Sequence, residues 1–409
     1  MKLLQTDTLS EAVKKLKEAT RDMKLKTMMV KTEDALSYLS AKDVFALEDV
    51  PAFVRSTVDG YALRASDTYG ASESNPLFFD VVGRLAIDEC RSIELSDMQA
   101  VWVQTGSSLP EDADAVVMLE YCEEYSLGHL ACYRSVSVGE NITQIGEDVG
   151  RDDCLICKGK LIDAYDIGLL VSQGISEIEV FQPITISVIS TGNELIDFHE
   201  VRQGAFIRDM NQHTIASLAR QYGMRVVIQR LVKDCQSDIE NAVIEAAEVS
   251  DIVVLSGGSS KGSQDYTQEV FEKLTHQVLT HGISIKPGKP TVIAYDSKRQ
   301  SILVGLPGHP LAAILMFDLI VYDWYLAQTG AKRRLPYFAE MQENVSSNQG
   351  RETCLLVRIE ERDGDYLAVP LYTKSSNISA LKGAYGYVLI PRQKEGLKKG
   401  ERVRIEVLR

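Results

Sequence analysis

The chain has 409 residues, 45% hydrophobic and 25% charged, the proportions of an ordinary soluble protein and a length beyond what one core serves, so roughly three or four domains are expected. A net charge of -14 argues against a nucleic-acid or anionic-membrane surface, since either needs basic clusters. Small anionic ligands stay open where cations are local. The seven cysteines, at 90, 122, 132, 154, 157, 235 and 354, are odd in number and lack a framework spacing, which fits a reduced, cytoplasmic setting.

The opening MKLLQTDTLSEAVKKL has no apolar core followed by a cleavage site, so no secretion signal is expected. Thr8-x-x-Glu11 spells a capping box, and Leu9, Val13, Leu16 and Met23 continue one helical face. A second helix is expected over Thr32–Leu39. In EDVPAFVRSTVDGYAL, residues 48–63, Pro51 and Asp59-Gly60 break regular structure, and Asp59 reads first as a turn-former. Short strands spaced by turns follow from Pro76 to about Val138, a β-rich module whose loop Gln104-Thr105-Gly106 offers one hydroxyl. By default Thr105 is a turn residue. Cys154-x-x-Cys157 has no second pair and no spaced histidines beside it, so it reads as structural rather than as a zinc or redox site. Gly146-Glu147-Asp148-Val149 introduces a helical stretch, Leu161 to Ser172, that returns the chain to its opening helical part.

From Ile184 strands and helices alternate. The strand ITISVIS runs into Thr191-Gly192-Asn193-Glu194, a helix stops at Gly223, MRVVIQRLV is a strand, and Ser237-x-x-Glu240 is a candidate cap. Polar groups thus collect at strand carboxyl ends, where open α/β sheets bind ligands, and Asp234 shares that edge with Glu194. Asp251–Thr267, DIVVLSGGSSKGSQDYT, is the most informative stretch. An unalternating apolar run reads as a strand covered on both faces. It breaks into Gly257, Gly258, Ser259 and Ser260, whose amides and hydroxyls suit a phosphate. Asp265 would repel that phosphate unless a divalent cation, most simply magnesium, stood between them. A βα turn with an exposed acid is the plainer alternative.

In Ile285-Lys286-Pro287-Gly288-Lys289-Pro290 the prolines predict an extended, polyproline-like path with Lys286 and Lys289 on one side. Pro307-Gly308-His309-Pro310 then starts an apolar helix to Ala327 that carries Asp318 and Asp323 and is too short for a convincing membrane span. Its start is a candidate anion site, and His309 reads as a loop residue. From about Leu335 a small β domain follows, with a hairpin around Asp363-Gly364 and the closing strand ERVRIEVLR. Asp59, Asp148, Glu194, Asp234 and Asp265 supply oxygens for hard cations, while Lys286 and Lys289 suit a phosphorylated ligand. Metal and lysine together can neutralise charge that develops as a phosphoanhydride is cleaved.

DVPAFVRSTVDGYAL, QTGSSLP, GEDV, STGNEL, GGSSKGSQDYT, IKPGKP, GLPGHP and KKGERVRIEVL, in this order over nearly the whole chain, resemble the molybdopterin molybdenumtransferases, the family that inserts molybdenum during molybdenum-cofactor synthesis and that also forms the C-terminal part of gephyrin. The resemblance implies a multidomain α/β and β protein. A helical N-terminal region at 1–46 plus 141–180 would carry an inserted β-rich domain at 47–140. A three-layer α/β molybdopterin-binding domain would follow at 181–330, and a small C-terminal β-barrel at 335–409. It further implies a homodimer that takes adenylylated molybdopterin and molybdate, uses magnesium and releases AMP, with the adenylylating enzyme and apo-molybdoenzymes as further partners.

By motif position, catalytic roles fall to Asp59, Asp148, Glu194, Asp265, Lys286 and Lys289, with Asp59, Glu194 and Asp265 on the metal and Asp59 acting across the dimer. Substrate contacts fall to Thr105, Asp234, Gly257, Gly258, Ser259, Ser260, Pro307 and Gly308. Ser376 and Ser379, in TKSSNISAL, match a serine-bearing loop less closely. Arg55, Thr57, Val58 and His309 depart from the residues usual in the family, yet the acids and lysines are kept. Rival readings are a molybdopterin adenylyltransferase, which shares the α/β unit, and a gephyrin-like scaffold.

Overall fold

A computed structural model describes residues 6–89, 93–126, 128–202, 204–257, 263–275, 277–347, 349–362 and 364–408, the side chains of 263–265 excepted. The chain divides into two compact units, one of residues 1–42, 158–162 and 178–409, the other of 43–157 and 163–177.

In the larger unit a six-stranded sheet runs in the order Arg225–Val232, Thr185–Thr191, Ile252–Gly257, Ser301–Leu306, Val292–Asp296, Val278–His281. Its first four strands are parallel, and the last two join antiparallel. The Ile252–Gly257 strand has five buried residues in succession, the pattern a strand needs when helices cover both its faces. Ile186, Val188, Ile252 and Val254 pack into one apolar cluster, and Ile189, Val253 and Leu255 into another beyond the sheet.

The first helix, Leu9–Ala19, carries the predicted box: Glu11 N–H donates to Thr8 Oγ1 at 3.2 Å and Thr8 N–H to Glu11 Oε2 at 2.8 Å. The expected helix over Thr32–Leu39 shrinks to a 3₁₀ turn at Thr32–Asp34. Ser37 takes φ +67° and its amide donates to Ile162 O, a tertiary bond that a continuing helix would forgo. Ser237 does not cap its helix, which begins at Gln236 with no side-chain cap.

The long apolar helix spans Pro310–Thr329, with a π-helical stretch at Phe317–Tyr322. It runs to Thr329 and so is not too short, being among the described residues the one helix long and apolar enough to cross a membrane. Yet 78% of its most apolar stretch is buried inside the fold, as in a core helix. Trp324, fully buried, donates its indole N–H to Thr20 Oγ1 at 2.9 Å and so fixes the first helix against it.

The C-terminal strands Glu352–Arg362, Asp365–Pro370, Tyr337–Met341, Arg402–Val407 and Gly386–Ile390 close on themselves into a five-stranded barrel, since the first also pairs with the last. Arg362 opposes Asp365 as the hairpin reading predicts, although Asp363 itself lies outside the described residues.

The smaller unit is built on a six-stranded sheet in the order Ala115–Met118, Gly60–Leu63, Gln99–Val103, Leu77–Leu85, His129–Cys132, Cys122–Ser126. Its helix Ala164–Ser172 is capped by Asp163 and followed by Gly174 at φ +66°.

Candidate functional site

At the sheet's carboxyl edge Gly257 ends its strand at φ +151°, and a Cβ there would overlap the Thr191 carbonyl oxygen, so only glycine lets the two strand ends approach. Thr191 Oγ1 donates to Asp234 Oδ1 at 2.5 Å, and the Asp234 amide donates to Asn193 Oδ1 at 3.2 Å. Asp234 is thereby held at the edge beside the exposed Glu194. Gly258, Ser259 and Ser260 lie outside the described residues, as does the side chain of Asp265, whose backbone belongs to the helix Ser263–Thr275.

The expected polyproline-like path at 285–290 is not found. Ile285–Lys286 pairs as a short parallel strand with Glu352–Thr353, and residues 287–290 make a tight turn. Ile283 N–H donates to Lys289 O at 2.9 Å and Thr291 Oγ1 to Gly288 O at 2.7 Å, closing that turn in place of an extended run. Gly288, at φ +126°, presses so closely on Met316 that a Cβ would overlap its sulfur. Lys286, at the end of the short strand, and Lys289, in the turn, are both exposed, and both line one cavity.

That cavity measures about 810 Å³ and opens between the α/β domain and the barrel, within the usual size range of ligand pockets. Lys286, Lys289, Arg351 and Lys374 are its four lysine and arginine residues, His309 lines it too, and no acidic residue lines it among those described. In a chain of net charge -14 this is a local reversal of sign, suited to an anion. Gly257, Pro307, Gly308 and Ser376 also line it, whereas Ser379 does not. The loop before the long helix is fixed from two sides. Asn211 Nδ2 donates to Ser256 Oγ at 2.9 Å and Gly308 O at 2.8 Å, while His309 Nδ1 and Ser375 Oγ are 2.8 Å apart. Leu311 N–H donates to Ser375 O at 3.1 Å.

Arg351, Lys374, Ser375 and Asn211 are residues that sequence reasoning missed. Arg351 and Lys374 belong to the barrel's half of the chain, and no local pattern announces that they face the α/β domain.

In the smaller unit, Asp59 and Thr105 come together although they are far apart in sequence. Thr105 donates both its amide, at 2.7 Å, and its hydroxyl, at 2.8 Å, to Asp59 Oδ1. These two bonds hold the exposed carboxyl below its ordinary value, against a small opposing effect of burial. Asp59 is therefore more than the turn-former its Asp-Gly pair announces. Asp148 is exposed on the Gly146–Val149 turn, its amide donating to Val50 O at 3.1 Å.

Family models match 8–174 ("MoeA N-terminal region (domain I and II)"), 187–327 ("Probable molybdopterin binding domain") and 339–408 ("MoeA C-terminal region (domain IV)"). The chain is 30% identical to the molybdopterin molybdenumtransferase of Staphylococcus aureus, over 97% of this chain and 94% of the relative, and 30% identical to that of Bacillus subtilis, over 94% and 90%. The solved structure of the molybdopterin biosynthesis MoeA protein from Pyrococcus horikosii superposes with a TM-score of 0.83 at 31% identity, covering 99% of this chain and all of that one.

Proposed function

Because the chain belongs to the molybdopterin molybdenumtransferase (MoeA) family, we infer that it is a transferase that inserts molybdenum into molybdopterin. We further propose that its substrates are adenylylated molybdopterin and molybdate, and that AMP leaves as the phosphoanhydride is cleaved. The observation that carries this reading is the cavity bearing Lys286, Lys289, Arg351 and Lys374, with no acid lining it among the described residues. An adenylylated pterin brings at least two phosphates, whose charge must be met at once by several cations. Lys286, at the strand end, and Lys289, in the turn that follows it, bind the phosphates and stabilise the charge that grows on the leaving one.

Asp59, Glu194 and Asp265 would hold magnesium. All three offer carboxylate oxygen, the hard donor that this ion takes, with no thiol or imidazole among them. When bound, the ion supplies neutralisation of phosphate charge. Asp234, already bonded to Thr191, positions the strand ends around the substrate. Asp59 acts from the neighbouring copy of a homodimer, polarised by Thr105, and Asp148 acts with it. Ser376 contacts substrate from the barrel side. The setting is the cytoplasm, in keeping with six described cysteines that are all free thiols.

The test is AMP release from adenylylated molybdopterin by purified protein, with and without molybdate and with magnesium chelated. Release that needs both is expected. Consumption of ATP and free molybdopterin instead would make the protein the adenylylating enzyme, and inertness in both assays would leave a scaffold. The dimer arrangement has its own test, because mixing Asp59→Ala with Lys286→Ala protein should restore part of the activity through mixed dimers. No recovery after verified subunit exchange would sink action across the dimer.

A further inference from the structure

Cys154-x-x-Cys157, structural by its sequence alone, gains a partner in the fold. The short strand Cys154–Ile156 pairs antiparallel with Val44–Phe45, so that Cys154 opposes Phe45 and Ile156 opposes Val44. Asp43, the residue just before that second strand, is thereby brought alongside Cys157. In a regular strand, residues three apart point to opposite faces. Here the register shifts between Cys154 and Ile156, and such an irregularity re-aims one side chain. The two sulfurs consequently stand 3.5 Å apart on one side. One oxygen of Asp43 joins them with all three ligand atoms within 4.8 Å of one another, and all three residues are exposed.

We propose that Asp43, Cys154 and Cys157 form a zinc site in the smaller unit, with two thiolates and one carboxylate from the protein and a fourth position open to water. Two sulfurs about 2.3 Å from a tetrahedral zinc stand roughly 3.8 Å apart, close to the separation already present. A disulfide would need them at about 2.05 Å. Three groups that each become anionic are gathered in one small volume, and a divalent cation relieves their mutual repulsion. Two sulfur ligands favour zinc over magnesium, which prefers an all-oxygen shell. Uptake releases the thiol protons to solvent, and no oxidant is involved. The ion would tie Asp43 to Cys157, the two ends of the segment 43–157 that makes up most of this unit, and a clip across so long a loop stabilises the folded form. The site is independent of the molybdenum chemistry and of the magnesium ligands.

The experiment uses the full chain, reduced with a phosphine, stripped of metal and titrated with Zn2+ against a chromophoric chelator. One equivalent should bind with submicromolar affinity. The double variant Cys154→Ser/Cys157→Ser should lose at least about a hundredfold, and Asp43→Asn about tenfold. Cys235→Ser, which removes a thiol elsewhere, should bind as the parent does. Cobalt(II) in place of zinc should give a thiolate-to-metal charge-transfer band in the parent and none in the double variant. Zinc should raise the thermal midpoint of the parent and leave that of the double variant unmoved. Undiminished binding by the double variant, a cobalt complex without the thiolate band, or no saturable uptake by the reduced protein would each overturn the site. The last of these, coupled with ready closure of a disulfide in air, would make the pair a redox couple instead.

Discussion

Two carboxylates in this chain, Asp318 and Asp59, are both anchored by hydrogen bonds, and their surroundings give them opposite meanings. Asp318 is 2% exposed in the middle of the long helix. Its Oδ1 accepts from Tyr222 at 2.9 Å, and its Oδ2 from Tyr387 at 2.7 Å and from Arg333 at 2.7 Å. Although burial pulls the Arg333 guanidinium down, Asp318 beside it holds it above its ordinary value. Burial, and then the Asp318 charge, push the Tyr387 hydroxyl well up. Tyr387 is buried and Tyr222 and Arg333 half-buried, and all three come from elements packed on the helix, so the group serves the joint between helix and barrel. Asp59 is exposed, and among the described residues only its Oδ1 is engaged. A buried charge with its lone pairs filled is architecture, while an exposed one pinned by a single oxygen keeps capacity for a ligand.

The sharpest way to break that contrast is Asp318→Ala. It leaves the half-buried Arg333 without its counter-charge and two tyrosine hydroxyls without an acceptor, and should cost about 3 kcal/mol of stability, the lower end for breaking a buried pair. Urea unfolding measures it, with activity per folded molecule unchanged. An unshifted midpoint would show that the network contributes nothing. Next in size are Lys286→Ala and Lys289→Ala. Both residues are exposed, one at the strand end and one in the turn, so unfolding should move by no more than about 0.5 kcal/mol. AMP release, by contrast, should fall by roughly 10² to 10³, the loss typical when one group that stabilises developing charge is removed. A variant that lost stability and activity in equal measure would place the lysine with Asp318 rather than with Asp59.

A smaller effect is expected at the mouth of the long helix, where His309 and Ser375 join the α/β domain to the barrel. Ser375→Ala removes one hydrogen bond of about 1 kcal/mol. It should raise KM severalfold and spare kcat, because the loop is positioned by the pair and does not itself meet the developing charge. A fall in kcat at constant KM would mean that His309 touches the reacting phosphate.

The same contrast explains what the sequence disclosed. Elements with a local cause were legible: the Thr8-x-x-Glu11 box, the buried run of Ile252–Leu255, Pro310 at a helix start, and the hairpin before Asp365. So was the exposure of Lys286 and Lys289 on one cavity, although a strand end followed by a tight turn, and not a polyproline-like path, presents them. What stayed hidden depends on distant chain. The 32–39 helix failed because Ser37 answers to Ile162. Arg351 and Lys374 joined the cavity only through barrel closure, and Asp43 met the two cysteines only through strand pairing. The Asp59–Thr105 bond is of this kind too, since two separate turn signals, each sufficient in itself, conceal that they complete one another.

The finest test concerns the state of Asp59 itself. Thr105 holds its carboxyl below the ordinary value of 3.8 through two hydrogen bonds that favour the charged form. For a group whose folded pKa lies below its unfolded one, the associated stability is fully present above the unfolded value and is lost as pH falls through the folded value. The window therefore lies at and below 3.8, and stability near neutral pH should be indifferent to it. Thr105→Val removes the hydroxyl and keeps the amide, so the carboxyl titration, followed by carbon-detected NMR, should move part of the way back up. At neutral pH Asp59 stays ionised in both proteins. Any loss of AMP release in the variant must then come from freed orientation of the carboxylate, and should be smaller than the loss in Asp59→Asn, which removes the charge. If Thr105→Val matched Asp59→Asn in activity while the titration did not move, the hydroxyl would be contacting substrate directly and not serving the acid.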